Sequence, residues 1–336
     1  MDKQNIEEFW NWFEAHKEEA PTALISSVNE RLKQVSFGLS AELSVEKDPK
    51  ELIVTPQGVK QFFSDAYALV KDASSIEGWE IVATKPALSE VHDFKMGDVE
   101  INLNEVTFMP LLAEEHPDDI AIRLYHKAYV PEEGEQQNAV ITGLYILLDS
   151  LLGEASSTFD FQYIDFDDMP HPKEKDYPLS ELTSFVKHKK STRKISGQKF
   201  PKEDISLLEG KVEDLPTLLV VNQALKYYEF TKEFPYLFRF SLHLKNAGDN
   251  GLPTGNTDEI YKVEDVIYQE IFKKEKGHFL ATETYNGKRE LFYYVDSEES
   301  IEKALALLPE ALQTCELSHE VNFDPFWVMT EAYIYM

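Results

Sequence analysis

One ordered set of short motifs is stated twice along this chain, and that order narrows the available folds more than any other feature. Pro21-Thr22 precedes an apolar run with helical spacing that ends at Leu32, and Pro216-Thr217 precedes a similar run ending at Leu225. Each run leads to an apolar strand and then to a Pro/Gly turn (Thr55-Pro56-Gln57-Gly58; Pro253-Thr254-Gly255) before an amphipathic helix. The strand pieces Ile81-Val82-Ala83-Thr84 and Phe279-Leu280-Ala281-Thr282 come next, and the halves close on Asp165-Phe166-Asp167 and Asn322-Phe323-Asp324. An ordered series at similar spacing predicts an internal duplication. A length of 336 residues suits the two domains this requires.

The later half has the clearer pattern. Tyr236 to Lys245 alternates Tyr236, Phe238, Phe240, Leu242 and Leu244 against Leu237, Arg239, Ser241, His243 and Lys245, as a half-buried strand does. A helix is expected after the Gly/Asn/Asp/Pro-rich loop Asn246–Gly255, with Asn256 as N-cap, Glu259 closing a capping box, and an apolar stripe Ile260, Val263, Ile267, Ile271. Strands His278–Tyr285 and Arg289–Val295 flank Asn286-Gly287, a strong hairpin signal. Ser297 caps a further helix, and Cys315 to Phe323 reads as the last strand, with His319 part-buried on its apolar side. The order β-α-β-β-α-β predicts an α+β fold of two ferredoxin-like antiparallel sandwiches, residues 1–190 and 205–336, joined by a basic linker at 191–204. In the first domain, strands are expected at 36–45, 79–85, 99–108, 119–129 and 158–167, and helices at 58–73 and 138–153. An N-terminal helix from Ile6 carries Phe9, Trp10 and Phe13, and the basic stretch Lys187–Lys199 reads as exposed.

The formal charge of −28 extends over both halves. Uniform acidity opposes phosphate backbones, whose affinity depends on cations displacing counterions, and it opposes anionic membranes equally. A basic protein remains the compatible partner. One cysteine, Cys315, excludes an intrachain disulfide; with no basic and apolar leader at the N-terminus, a cytoplasmic location is expected.

No chemistry is announced. G-x-G-x-x-G, the Walker pattern, G-x-S-x-G and C-x-x-C are all missing. His319-Glu320 begins like a zinc helix, but Phe323 stands where the second histidine belongs. Asp160, Asp165, Asp167 and Asp168 suit a hard cation in type, yet the loop lacks the glycine and closing glutamate of an EF-hand. No cofactor, metal or catalytic residue is therefore expected. Two places stand out for contact: Asp324 and Trp327, an acid and an aromatic just past the last strand, with a plug at the end of the core as the other reading of Trp327, and Arg239, His243 and Glu320 on the polar sheet face. The alternative is an enzyme or small-ligand binder using the loop Asn246–Gly255, whose glycines let backbone N–H groups approach a ligand.

Asn250-Gly251-Leu252-Pro253 and Asn322-Phe323-Asp324-Pro325-Phe326-Trp327 resemble an uncharacterised bacterial family, domain-of-unknown-function family 695, over roughly 205–336. Phe9-Trp10-Asn11-Trp12-Phe13 and Leu151-Leu152-Gly153-Glu154 resemble the region that precedes this domain in some members. The resemblance implies no activity. A more distant similarity, in fold and acidity, is to the ribonuclease E activity regulator B group, and it implies a non-catalytic, regulatory, protein-binding role.

Overall fold

A computed structural model describes residues 3–111, 116–172, 174–195, 197–255, 257–309 and 312–334. The chain divides into a unit at Met1–Arg193 and a second at Lys194–Met336.

In the first unit, α1 (Lys3–His16) buries Ile6, Phe9, Trp10 and Phe13 as its spacing requires. Pro21 opens α2 (Pro21–Val35), where its fixed φ suits a first helical position and its missing N–H costs nothing. The hairpin β1 (Ser40–Ser44) and β2 (Lys50–Thr55) is followed by α3 (Phe63–Lys71), and β3 (Trp79–Ala83) then returns parallel to β2. A small hairpin, β4 (Phe94–Met96) with β5 (Val99–Ile101), precedes the antiparallel pair β6 (Thr107–Leu111) and β7 (Ala121–Tyr125). Helices α4 (Glu135–Leu152) and α5 (Glu154–Phe159) lead to β8 (Tyr163–Asp167), parallel to β7. β9 (Tyr177–Pro178) pairs with β6, and α6 (Leu182–Ser191) ends the unit.

This unit departs from the expected single antiparallel sheet. It holds two larger sheets, each with one parallel neighbour, because each uses a helix to cross from a hairpin to its third strand. The plan hairpin–helix–parallel strand thus recurs inside the first unit. The strand expected at 99–108 is split by a turn at Leu103–Glu105, and the start of the one expected at 158–167 is the end of α5. The basic stretch begins in α6, whose Leu182 and Val186 are buried, and Arg193 donates to the Asp118 carbonyl.

The second unit has one six-stranded sheet in the order β10-β11-β13-β14-β12-β15: β10 (Ile205–Val212), β11 (Leu215–Asn222), β12 (Tyr236–Leu244), then α7 (Asp258–Ile271), β13 (Gly277–Tyr285), β14 (Lys288–Val295), α8 (Glu298–Leu305), β15 (Cys315–Phe323) and α9 (Met329–Ile334). All its pairings are antiparallel. The run after Pro216-Thr217, expected as a helix, is strand β11. A two-residue turn with positive φ at Glu213 and Asp214 folds it back on β10, and a short apolar run with Val220 and Val221 serves a strand as well as a helix. Pro21-Thr22 and Pro216-Thr217 therefore lie in unlike structures. Asn286 and Gly287 both take positive φ, as their hairpin demands.

Both faces of this sheet carry a core. Phe238, Phe240 and Leu242 meet Ile260, Val263, Ile267 and Ile271 of α7 and Ile301 of α8. On the other face Leu219, Val221, Leu237, Phe292 and Tyr294 lie under Tyr228, Phe234, Trp327, Tyr333 and Ile334. Gly277 is needed where β13 crosses β14, since a Cβ there would stand 2.3 Å from the Tyr294 carbonyl oxygen. The Ser297 hydroxyl accepts from Ser300 N at 3.3 Å and caps α8. The capping role expected of Asn256 lies outside the described residues. Glu259, expected in that box, instead accepts from the backbone N–H groups of Gln313 and Thr314 and from the Thr314 hydroxyl, tying the first turn of α7 to the entry of β15.

Candidate functional site

The second face of this sheet is only half covered, and its open part is polar. Strand alternation sends Arg239, Ser241 and His243 of β12 to this face, and register sets Glu320, Ser318 and Glu316 of β15 opposite them. On the inner side, Glu290 lies opposite Ser241 and Lys288 opposite His243. Arg239 holds Glu290 by two bonds, Nε at 2.7 Å and Nη2 at 3.0 Å, and reaches Glu320 at 3.4 Å. Ser241 Oγ and Lys288 Nζ also donate to Glu290, at 3.0 and 2.6 Å. Burial pushes the Glu290 carboxyl up, but these donors outweigh it and hold it below the ordinary range. His243 Nε2 lies 3.0 Å from Ser318 Oγ at the exposed end of the row.

Arg239, His243 and Glu320 are therefore brought together on one surface. Glu290 and Lys288 belong to it as well and were missed from sequence, although their parity on β14 carries the signal. His319, expected to be part-buried, is exposed, because β15 is an edge strand and the helices cover less of it. It points to the opposite face from His243, so the two make no pair.

Asp324 and Trp327 lie elsewhere. Trp327 is 3% exposed; its indole stacks on Tyr294 at 4.2 Å and on Tyr228 at 4.7 Å, and Nε1 donates to the Phe234 carbonyl at 2.9 Å. Asp324, 7% exposed, accepts from the Tyr294 hydroxyl at 2.6 Å. Of the two readings of Trp327, interface anchor and core plug, its burial fits the plug: the backbone, with φ of 56° at Trp327, turns the ring back under the sheet. Beside it the buried His278 meets the Tyr228 hydroxyl at 2.9 Å, and Phe200 stacks on the imidazole at 5.0 Å. Burial, with a smaller contribution from Lys199, pushes His278 down to about 4, so this imidazole is neutral.

The loop Asn246–Gly255 is closed on itself. Gly248 N donates to the Leu252 carbonyl, Gly251 N to that of Gly248, and the Asn246 amide to that of Thr254. The N–H groups of Gly248 and Gly251 are thus spent within the loop, and the Gly251 carbonyl accepts from Gly287 N of the hairpin, where a Cβ at Gly251 would stand 2.7 Å from Asn286 Cα. Next to that hairpin a cavity of about 240 Å³ is lined by Glu283, Tyr285, Asn286, Lys288 and Glu290. It falls below the roughly 300–1,000 Å³ of a small-molecule pocket.

In the first unit three of the acids that suit a hard cation in type, Asp160, Asp165 and Asp167, lie beside cations of the protein. Arg123 binds Asp165 at 2.7 Å and lies 3.9 Å from Asp167, and Lys190 binds Asp160 at 2.6 Å. Among the described residues no group of three or more His, Cys, Asp or Glu is placed to hold a metal. Burial raises the Cys315 thiol, the opposite of what a nucleophile needs.

Residues 206–335 match the model of a family of unknown function, DUF695. No curated protein and no solved structure matches the chain. No helix among the described residues is long and apolar enough to cross a membrane.

Proposed function

We propose that this chain is a non-catalytic, cytoplasmic protein-binding protein, regulatory in role, whose partner docks on the polar face formed by Arg239, His243, Glu320 and their neighbours. The observation that carries the reading is the row of donors and acceptors on this sheet face, buried at Ser241 beside the covered core and exposed at His243, Glu316 and Glu320. Preset hydrogen-bonding groups on strands lose little entropy when a partner pairs with them. The net charge of −28 supports a basic partner through faster, steered encounter.

The fold assignment supports the same reading. Within residues 236–323 the element order strand–helix–strand–strand–helix–strand and the sheet order β13-β14-β12-β15 agree with one ferredoxin-like sandwich, extended by the β10–β11 hairpin. The first unit offers no such agreement, so the duplication is not part of this proposal. Acidity and an open sheet face are also the features shared with the ribonuclease E activity regulator B group, an analogy of fold and charge alone.

The test is capture from native extract on immobilised full-length chain, at low and high salt, beside Glu320→Lys and His243→Glu variants. A basic protein held at low salt, released at high salt and lost to both variants supports the proposal. Capture unchanged by either variant removes this face from consideration.

A further inference from the structure

Strand β10 ends the second unit's sheet, and it is unusually apolar for an edge. Ile205, Leu207, Leu208 and Val212 are 50, 63, 38 and 45% exposed. Long apolar edges are templates for another strand, and proteins ordinarily blunt them with proline, charge or a covering segment. Here only Glu209 and Lys211 carry charge within the strand, and no proline interrupts it.

The hydrogen-bonding side of this edge follows from the register. Gln223 N donates to the Asp204 carbonyl at 2.7 Å, which makes Asp204–Gln223 a bonded rung. Bonded rungs alternate in an antiparallel pair, and the register from Ile205↔Asn222 to Val212↔Leu215 carries that alternation along the strand. Even-numbered residues of β10 are therefore bonded to β11. Ile205, Leu207, Glu209 and Lys211 turn their N–H and C=O groups outward, where among the described residues no strand meets them.

We infer that β10 pairs antiparallel with β10 of a second copy of this chain, about a two-fold axis through Gly210. In this register the two bonded rungs join Glu209 of each copy to Lys211 of the other. Leu208 of each copy faces Val212 of the other, and Gly210 faces itself at an unbonded position, where Cα atoms approach to about 4.5 Å and a side chain crowds most. The neighbouring registers are poorer. An axis through Glu209 sets two carboxylates face to face, and one through Leu208 sets Glu209 against Leu207. Charge complementarity thus selects both the occupant, a strand with the same spacing of opposite charges, and the alignment. The turn at Glu213-Asp214 ends the ladder just beyond Val212. This surface is separate from the polar face proposed for the partner, so either assignment can fail alone.

Sedimentation velocity of the full chain at about 0.15 M salt, where repulsion between two acidic copies is screened beyond about 8 Å, provides the test. The expected result is a concentration-dependent dimer. Lys211→Glu weakens it on the order of tenfold or more, and Glu209→Lys combined with Lys211→Glu restores it. Oxidation links Gly210→Cys chains but not Leu208→Cys chains, with the buried Cys315 silent in both. A wild-type chain that stays monomeric at about 100 µM overturns the proposal. A dimer indifferent to both charge variants, or crosslinked through position 208 in place of 210, overturns the pairing. A monomer that binds an unrelated strand peptide along β10 assigns the edge to another occupant and overturns it too.

Discussion

The two units solve one problem, burying the faces of a sheet, in opposite ways. The second unit places one sheet between two cores, so the central strand β14 is buried along most of its length. The first unit keeps its two larger sheets apart, each with its own core, and ties them at a fully buried carboxyl. Glu154 accepts from the Thr55 hydroxyl at 2.6 Å, at the end of β2, from Gly58 N at 2.9 Å, just beyond it, and from Lys85 N at 3.0 Å, beyond the end of β3. Its own backbone N–H donates to the Lys85 carbonyl. The difference teaches where each unit is vulnerable: the second to loss of apolar volume, the first to loss of a polar junction.

The largest expected effect tests the apolar side. Trp327→Ala removes the ring stacked on Tyr294 and Tyr228 and costs about 4 kcal/mol in the second unit. Hydrogen exchange should rise across 197–334 and stay unchanged across 3–111. Equal loss of protection in both stretches breaks the comparison.

Next comes the polar junction. Glu154→Ala strands the donors on Thr55, Gly58 and Lys85, at a cost of about 3 kcal/mol. Trp10, Trp12 and Trp79 belong to the first unit, so denaturant unfolding followed by fluorescence in a Trp327→Phe background reports on it alone. A midpoint unmoved by the substitution refutes the junction.

A pH effect of similar or slightly smaller size separates the units further. His278 titrates at about 4 when folded, against an ordinary value near 6.5. The unfolded chain then binds the extra proton between these values, so stability rises with pH in that window. The contribution is complete above about 6.5 and declines, by about 3 kcal/mol in all, as pH falls towards 4. His278→Gln should flatten this slope in the second unit only, as read by urea midpoints across the window. The smallest effect sharpens the local picture: Ser297→Ala should cost about 1 kcal/mol, with exchange rising at the first turn of α8.

Much of the second unit was legible because its signals are local. β15 runs from Cys315 to Phe323 as its alternation implies, the hairpin turns at Asn286-Gly287, and Ser297 caps α8. The polar row was legible in part: alternation places Arg239, His243 and Glu320 on one face, while Glu290 and Lys288 join it only once β14 is known to lie beside β12.

What the sequence determined by itself was the period of each strongly patterned element, because side-chain alternation and turn chemistry act over a few residues. What only the tertiary structure decided was which strand lies beside which. That choice turned the run after Pro216-Thr217 into a strand, gave each of the two larger sheets of the first unit a parallel neighbour, exposed His319 on an edge and sealed Trp327 beneath the sheet. The physical reason is that burial and hydrogen bonding in a sheet are supplied by residues distant in the chain. Two short apolar runs that follow the same Pro-Thr pair can therefore end as helix and strand, according to the neighbours that cover them.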